Sequence, residues 1–215
     1  MICGVDEAGR GPVIGPMVVA AVMLKDDEVL RRLKVKDSKQ LSPDKREMLA
    51  TEIHKVAKVE VNIIEPEELD ALMSEMNLNE IEVLSFASLI ERLHPDKVFL
   101  DACDVDEERF AQNIRLRLNY HPDITCKHKG DVLFPVVSAA SILAKTTRDA
   151  RMRAIEKELG EPIGTGYCHD QKTIGFLQKW IKEKGDAPPY TRRCWYTTKK
   201  ALSLSKTSKL DDWND

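Results

Sequence analysis

Met1-Ile2-Cys3-Gly4-Val5-Asp6-Glu7-Ala8-Gly9-Arg10-Gly11-Pro12 is a short apolar run that ends on two adjacent carboxylates and turns at once through a glycine-flanked arginine. A second apolar run, Met17-Val18-Val19-Ala20-Ala21-Val22-Met23-Leu24, follows Gly15-Pro16, so the motif reads as the turn between two strands. A tight connection between rigid elements is where chemistry is commonly mounted. Acid able to hold a metal stands there beside backbone and positive charge able to hold phosphate.

Downstream, Ser42-Pro43 gives a helix start, serine as cap and proline at the first position, with Leu49, Ile53 and Val56 at helical spacing. Val59, Val61 and Ile63 alternate as in a half-buried strand. Helices are expected over 66–75 and 79–93. His94-Pro95 ends the second, and Lys97-Val98-Phe99-Leu100-Asp101 reads as a strand finishing on a carboxylate. Ile124 to Lys129 is a further strand, 136–159 the longest helix, closing at Gly160, and about 170–184 another. Early strands, a helical middle, a strand and a long helix predict an α/β fold with a mixed sheet flanked by helices. Gly185 and Pro188-Pro189 mark a boundary, giving a main domain over 1–185 and a small helical C-terminal extension over 186–215.

With 215 residues, 42% apolar and 32% charged, the chain suits one sizeable globular core and not a disordered or fibrous protein. Val13 to Leu24 is short and broken by Gly15 and Pro16, which excludes it as a membrane span, and no export signal opens the sequence. Five scattered cysteines, an odd number, suit free thiols in a reducing cytoplasm. The net charge of −3 conceals an asymmetry: residues 1–126 hold 16 Lys and Arg against 25 Asp and Glu, whereas 127–200 hold 15 against 8. An acidic first part fits a metal site and a basic later part fits a polyanion.

Two-metal phosphodiester cleavage needs several carboxylates converging on ions about 3.5–4 Å apart, and all-oxygen ligands favour magnesium or manganese over zinc. Asp6, Glu7 and Asp101 are candidates on two different strands. A rival set, Cys126, His128, Cys168 and His169, lacks zinc-ligand spacing. Glycines at Gly9 and Gly11 permit close backbone approach to a ligand, Arg10 can grip a phosphate, and Lys145 and Arg148 share a helix face three residues apart.

Asp6-Glu7-Ala8-Gly9-Arg10-Gly11-Pro12, Asp37-Ser38-Lys39-Gln40-Leu41-Ser42, Leu100-Asp101, Lys129-Gly130-Asp131 and Ser138-Ala139-Ala140-Ser141-Ile142-Leu143-Ala144-Lys145 occur together in one order. In these motifs the chain resembles the ribonuclease HII family, the type 2 ribonucleases H, in their compact archaeal-like form, from residue 1 to about 200. The resemblance implies a ribonuclease H-like fold and endonucleolytic cleavage of RNA in RNA/DNA hybrids. It also implies incision 5′ of single ribonucleotides in duplex DNA, leaving 3′-hydroxyl and 5′-phosphate ends. Asp6, Glu7, Asp101 and Asp131 would hold two Mg2+ or Mn2+ ions. Asp6 would bridge both, Asp131 would share the ion that activates water, and Glu7 and Asp101 would serve the ion near the leaving group. Gly9, Arg10 and Gly11 would read the ribose, whose 2′-hydroxyl distinguishes RNA from DNA. Tyr167 would pack on the sugar beside the junction, although Cys168-His169 follows where Pro-Ser is typical of the family. Lys39, Lys145 and Arg148 are candidate phosphate contacts.

Ser208-Lys209-Leu210-Asp211-Asp212-Trp213 is similar to a short sliding-clamp motif, with Leu210 and Trp213 as the docking pair, although the leading glutamine and second aromatic are missing. The expected protein is a monomer in the cytoplasm. Alternatives are a DNA junction nuclease of the same fold, disfavoured by the ribose-reading features, and a catalytically silent hybrid-binding subunit, disfavoured by the full carboxylate set. The type 3 enzymes carry an additional N-terminal domain and a lysine in the glycine turn, whereas this chain opens on the first strand and has Arg10.

Overall fold

The computed structural model describes residues 1–35 and 41–211, with side chains through residue 205. Five strands, β1 (Ile2–Ala8), β2 (Met17–Leu24), β3 (Lys58–Ile64), β4 (Lys97–Asp101) and β5 (Asp123–Lys127), form one sheet in the order β3-β2-β1-β4-β5. β1 pairs antiparallel with β2 and parallel with β4, and β4 pairs parallel with β5, so the sheet is mixed as expected. The helices are α1 (Glu28–Arg32), α2 (Pro43–Val56), α3 (Pro66–Leu72), α4 (Leu78–Leu93), α5 (Glu107–Arg115), α6 (Gly130–Leu133), α7 (Pro135–Leu159), α8 (Gln171–Lys184) and α9 (Tyr196–Asp211).

Contacts divide the chain into two compact units. The first comprises Met1–Ala8, Val18–Ile63 and Met76–Arg148; the second comprises Gly9–Met17, Ile64–Glu75 and Asp149–Asp215. In the first unit the two-residue period of a strand separates two cores. Cys3, Val5, Val19, Ala21, Val98 and Leu100 pack with α4 and α5. Val18, Ala20, Val22 and Leu24 turn the other way, into a core with α2 and α7. β2 is buried along its whole length because both faces are covered, which is why it reads as an uninterrupted apolar run.

The remaining elements follow local chemistry. Ser42 accepts from the Lys45 amide to cap α2, with Pro43 in its first turn. Asn77 and Glu80 exchange side-chain and backbone hydrogen bonds in a capping box at the start of α4. The short helices α1, α5 and α6 were not expected; α1 and α6 are too short to display an apolar period, whereas α5 does bury Phe110, Ala111 and Ile114 along one side. In the second unit, Val13, Ile14, Met152, Ile155, Ile163, Phe176, Leu177 and Ile181 form a third core. Trp195, Ala201 and Leu202 pack against it, so residues beyond 186 contribute to this unit's packing. No described helix is long and apolar enough to cross a membrane.

Candidate active site

The first unit carries the acids. Strand alternation places Gly4 and Asp6 on the α7 face of β1, and Cys3, Val5 and Glu7 on the α4 face. Asp6 and Glu7 therefore belong to the strand's own alternation, pointing to opposite sides, and only beyond Ala8 does the connection to β2 begin. The parallel register Gly4↔Phe99 and Val5↔Leu100 brings the ends of β1 and β4 level. Phe99 packs toward the α7 side, so Asp101 shares the face of Asp6.

Gly4 makes this face possible. A Cβ there would stand 2.3 Å from the carbonyl carbon of Val136 and 2.5 Å from the amide nitrogen of Val137, so only hydrogen lets the start of α7 lie against β1. That approach brings Ser141 to within hydrogen-bonding reach of the Asp6 carboxylate, and Ser138 Oγ donates to the Asp131 carbonyl. Gly130 is similarly constrained, because a Cβ would lie 2.7 Å from the Leu100 carbonyl oxygen. Its amide donates to Asp101 Oδ1 at 2.7 Å, tying α6, and with it the neighbouring Asp131, to the end of β4.

Asp6 is 3% exposed and Asp131 4%. Burial, then the charges of Glu7 and Asp101, push the Asp6 carboxyl well above the ordinary carboxylate range, although Ser141 and the Glu7 amide oppose the shift. Like charges gathered about a buried carboxyl, all of them oxygen donors, make a set that a hard divalent cation would relieve.

On the opposite face the structure adds two groups that sequence reasoning missed. Glu82 of α4 is fully buried, and carboxylate oxygens of Glu7 and Glu82 and the Cys103 sulfur lie within 4.8 Å of one another. Cys103 donates its thiol hydrogen to Glu7 Oε2 at 3.0 Å. Burial, and secondarily Glu7, hold that thiol well above its usual pKa, so it remains a donor. The signal for Glu82 was present: it stands one helical turn after Leu78 and one before Phe86, a core position occupied by acid.

The other acids are structural. Asp104 is buried in a two-pronged ion pair with Arg109, which lowers its pKa, and Asp106 accepts from the Arg109 amide as the cap of α5. The zinc alternative gains nothing among the described residues: Cys126 lies in the first core with its thiol pushed up to about 12 by burial, and His128 Nε2 faces the Val105 carbonyl.

The second unit holds the glycine turn. Gly9 adopts φ +84°, and the Val13 and Ile14 amides donate to the Gly166 carbonyl at 2.8 and 3.2 Å. Tyr167 thereby comes beside the turn: a Cβ on Gly11 would meet Tyr167 Cε1 at 3.8 Å. The loop carrying Tyr167 is fastened by Asp170, which accepts from the Thr165 amide and hydroxyl and the Lys172 amide. These bonds hold its carboxyl at a pKa of about 2. On the far side Thr191 bridges Ile14, and the buried Arg192 donates to carbonyls of the turn. Arg192 was not singled out, because it lies in an irregular segment with no periodic signal. On α7, Lys145 is half-buried and Arg148 only 2% exposed, so Lys145 presents the more open surface. Lys39, Trp213 and the side chain of Leu210 lie outside the described residues.

A mixed sheet of this order, with carboxylates ending two adjacent strands, puts the chain in the ribonuclease H class. The ribonuclease H2 from Pyrococcus horikoshii OT3 superposes with a TM-score of 0.89 at 39% identity, over 95% of this chain and 98% of that one. The profile of the ribonuclease HII family matches residues 3–198. Ribonuclease HII of Thermococcus kodakarensis is 47% identical over 212 residues, covering 97% of this chain and 92% of its relative. The chain belongs to the ribonuclease HII family, which cleaves RNA in RNA/DNA hybrids, and it is an endoribonuclease. The Archaeoglobus fulgidus enzyme, solved as a PCNA:RNase HII complex, has a TM-score of 0.87 at 39% identity, over 94% and 96% of the two chains. Bst-RNase HIII, solved in complex with Mn2+, matches at 0.81 and 21% identity over 96% of this chain and 70% of that one, and shares the fold.

Proposed function

We propose that this endoribonuclease hydrolyses the phosphodiester bond 5′ of a ribonucleotide, in hybrids and at single ribonucleotides in duplex DNA, leaving 5′-phosphate ends. The observation that carries the reading is the buried Asp6 carboxyl, its pKa raised by burial and by the charges of Glu7 and Asp101, all oxygen donors, with Asp131 tied to the end of β4 through Gly130. Asp6, Glu7, Asp101 and Asp131 would hold two Mg2+ or Mn2+ ions. Bound there, such ions lower the pKa of a water and stabilise the leaving oxygen of an in-line displacement.

The chain's own residues supply position and selection. Ser141 and the Glu7 amide hold the Asp6 carboxylate against its like-charged neighbours, and Cys103 orients Glu7. Gly9, Arg10 and Gly11, beside Tyr167, would read the sugar through the 2′-hydroxyl. Lys39 and Lys145 are assigned to the phosphate backbone, whereas Arg148, expected to join them, is too buried to do so. The enzyme would act as a monomer in the cytoplasm, in keeping with its five free cysteines. Leu210 and Trp213 would dock on a sliding clamp, a reading favoured by the tail sequence and by the PCNA complex of the Archaeoglobus relative. Equal clamp capture with and without residues 205–215 contradicts that docking.

One gel tests the substrate assignment. A single-ribonucleotide duplex, an RNA/DNA hybrid and an all-DNA duplex are each incubated with and without Mg2+ or Mn2+. The first two are expected to be cut only with metal, the single-ribonucleotide strand at its 5′ side. Comparable cutting of the all-DNA duplex contradicts the assignment.

A further inference from the structure

Arg192 is 0% exposed, and three of its nitrogens donate to backbone carbonyls of one loop: Nε to Gly15 at 3.1 Å, Nη1 to Arg10 at 2.8 Å and Nη2 to Gly9 at 2.5 Å. A buried guanidinium is tolerated only where its donors are met, and charge-assisted bonds to carbonyls meet them here. The Trp195 ring lies 4.8 Å from the guanidinium carbon, the Arg192 amide donates to the Val13 carbonyl at 2.9 Å, and Thr198 Oγ1 donates to the Arg192 carbonyl at 2.8 Å. The side chain is therefore seated from behind and spent on the loop in front.

The consequence follows from peptide planarity. In a trans peptide the C=O and N–H point in opposite directions, and no cis peptide occurs among the described residues. Drawing the Gly9 and Arg10 carbonyls onto the guanidinium turns the amide N–H groups of Arg10 and Gly11 away from it. Two successive donors then face the opposite side, and the positive charge behind the carbonyls polarises both peptides in the sense that strengthens them as donors. The third acceptor, Gly15, precedes Pro16, whose nitrogen carries no hydrogen, so that bond only anchors the far end of the loop.

We infer that Arg192 is a positioning residue for ribose recognition, a buried fork that fixes Gly9-Arg10-Gly11 with the Arg10 and Gly11 amides presented to the sugar-phosphate. This rests on the reading that the glycine turn reads the ribose. A lysine would keep the charge but cannot span three separated carbonyls, because its donors radiate from one atom.

The test compares binding of a DNA duplex carrying one ribonucleotide with binding of its all-DNA twin, by fluorescence anisotropy without divalent metal so that nothing is cut. A purely structural role would lower the fraction of active protein and leave the preference between the two duplexes unchanged. R192K is expected to reduce the preference about fivefold or more, the scale of one or two lost hydrogen bonds. W195L removes the ring behind the guanidinium while leaving its donors, and is expected to reduce the preference in the same direction by less. If R192K does not fold, W195L decides. A preference within twofold of wild type in folded R192K, or in W195L alone where R192K does not fold, overturns the inference. G11A separates the layers, since its methyl meets Tyr167 at ordinary contact distance and Gly11 is not among the positive-φ glycines. If G11A alone loses the preference, the ribose reading stands and the role of Arg192 falls. If G11A keeps it, the ribose reading itself fails and the inference with it.

Discussion

Asp101→Asn is expected to lower metal-dependent cleavage of an RNA/DNA hybrid by about a thousandfold, while the protein stays folded and binds the hybrid within a few-fold of wild type. Asparagine keeps the Oδ1 acceptor that receives the Gly130 amide at 2.7 Å, so α6 and the neighbouring Asp131 retain their attachment to β4. What is lost is one negative charge beside Asp6, whose carboxyl is already raised by burial and by Glu7 and Asp101. A ligand charge at a metal centre contributes several kcal/mol to transition-state stabilisation, and about 4 kcal/mol corresponds to that thousandfold. The check is single-turnover cleavage alongside a thermal melt. Unchanged cleavage in a folded Asp101→Asn protein places the chemistry elsewhere.

Gly4→Ala is expected to be the most damaging single methyl in the first unit. Its Cβ would stand 2.3 to 2.5 Å from the carbonyl carbon and oxygen of Val136 and the amide of Val137, all backbone atoms at the start of α7. Backbone cannot rotate away as a side chain tip can, so α7 must shift from the sheet. Overpacking of this kind costs about 3 kcal/mol, equivalent in a chain of this size to a fall in melting temperature of about 6–12 °C. Because Ser138 and Ser141 ride on the same helix, metal binding should weaken as well, raising the half-saturating concentration. Differential scanning calorimetry checks the first effect and half-saturating Mn2+ in a cleavage assay the second. A melting temperature within 2 °C of wild type contradicts the close-approach account.

The strands and long helices were legible because their chemistry is local. Ser42-Pro43, the alternating Val59-Val61-Ile63 and the Lys97–Asp101 run each carry their own start, period or stop. The sheet order was not legible, since nothing in β1 or β4 states that they lie side by side; that neighbourhood depends on crossovers through α2 to α4. Asp6, Glu7, Asp101 and Asp131 were found through motif resemblance, and the register then explained why Asp6 and Asp101 share a face while Glu7 turns to the other. Glu82 and Cys103 escaped because their relation to Glu7 crosses from β1 to α4 and to the stretch after β4. Arg192 escaped for the same reason in the other unit, separated from its carbonyl partners by more than 170 residues.

The central claim is that the acids at the ends of β1 and β4, with Asp131, form one cation site and not a set of independent surface charges. Calorimetric titration of Mn2+ into the enzyme bound to a non-cleavable hybrid, compared with Asp6→Asn, tests it most directly. Two ions are expected for the wild type and a loss of at least one for Asp6→Asn, with thermal melting unchanged or raised because a buried like-charged group has been removed. Equal stoichiometry and affinity in the two proteins would contradict the claim.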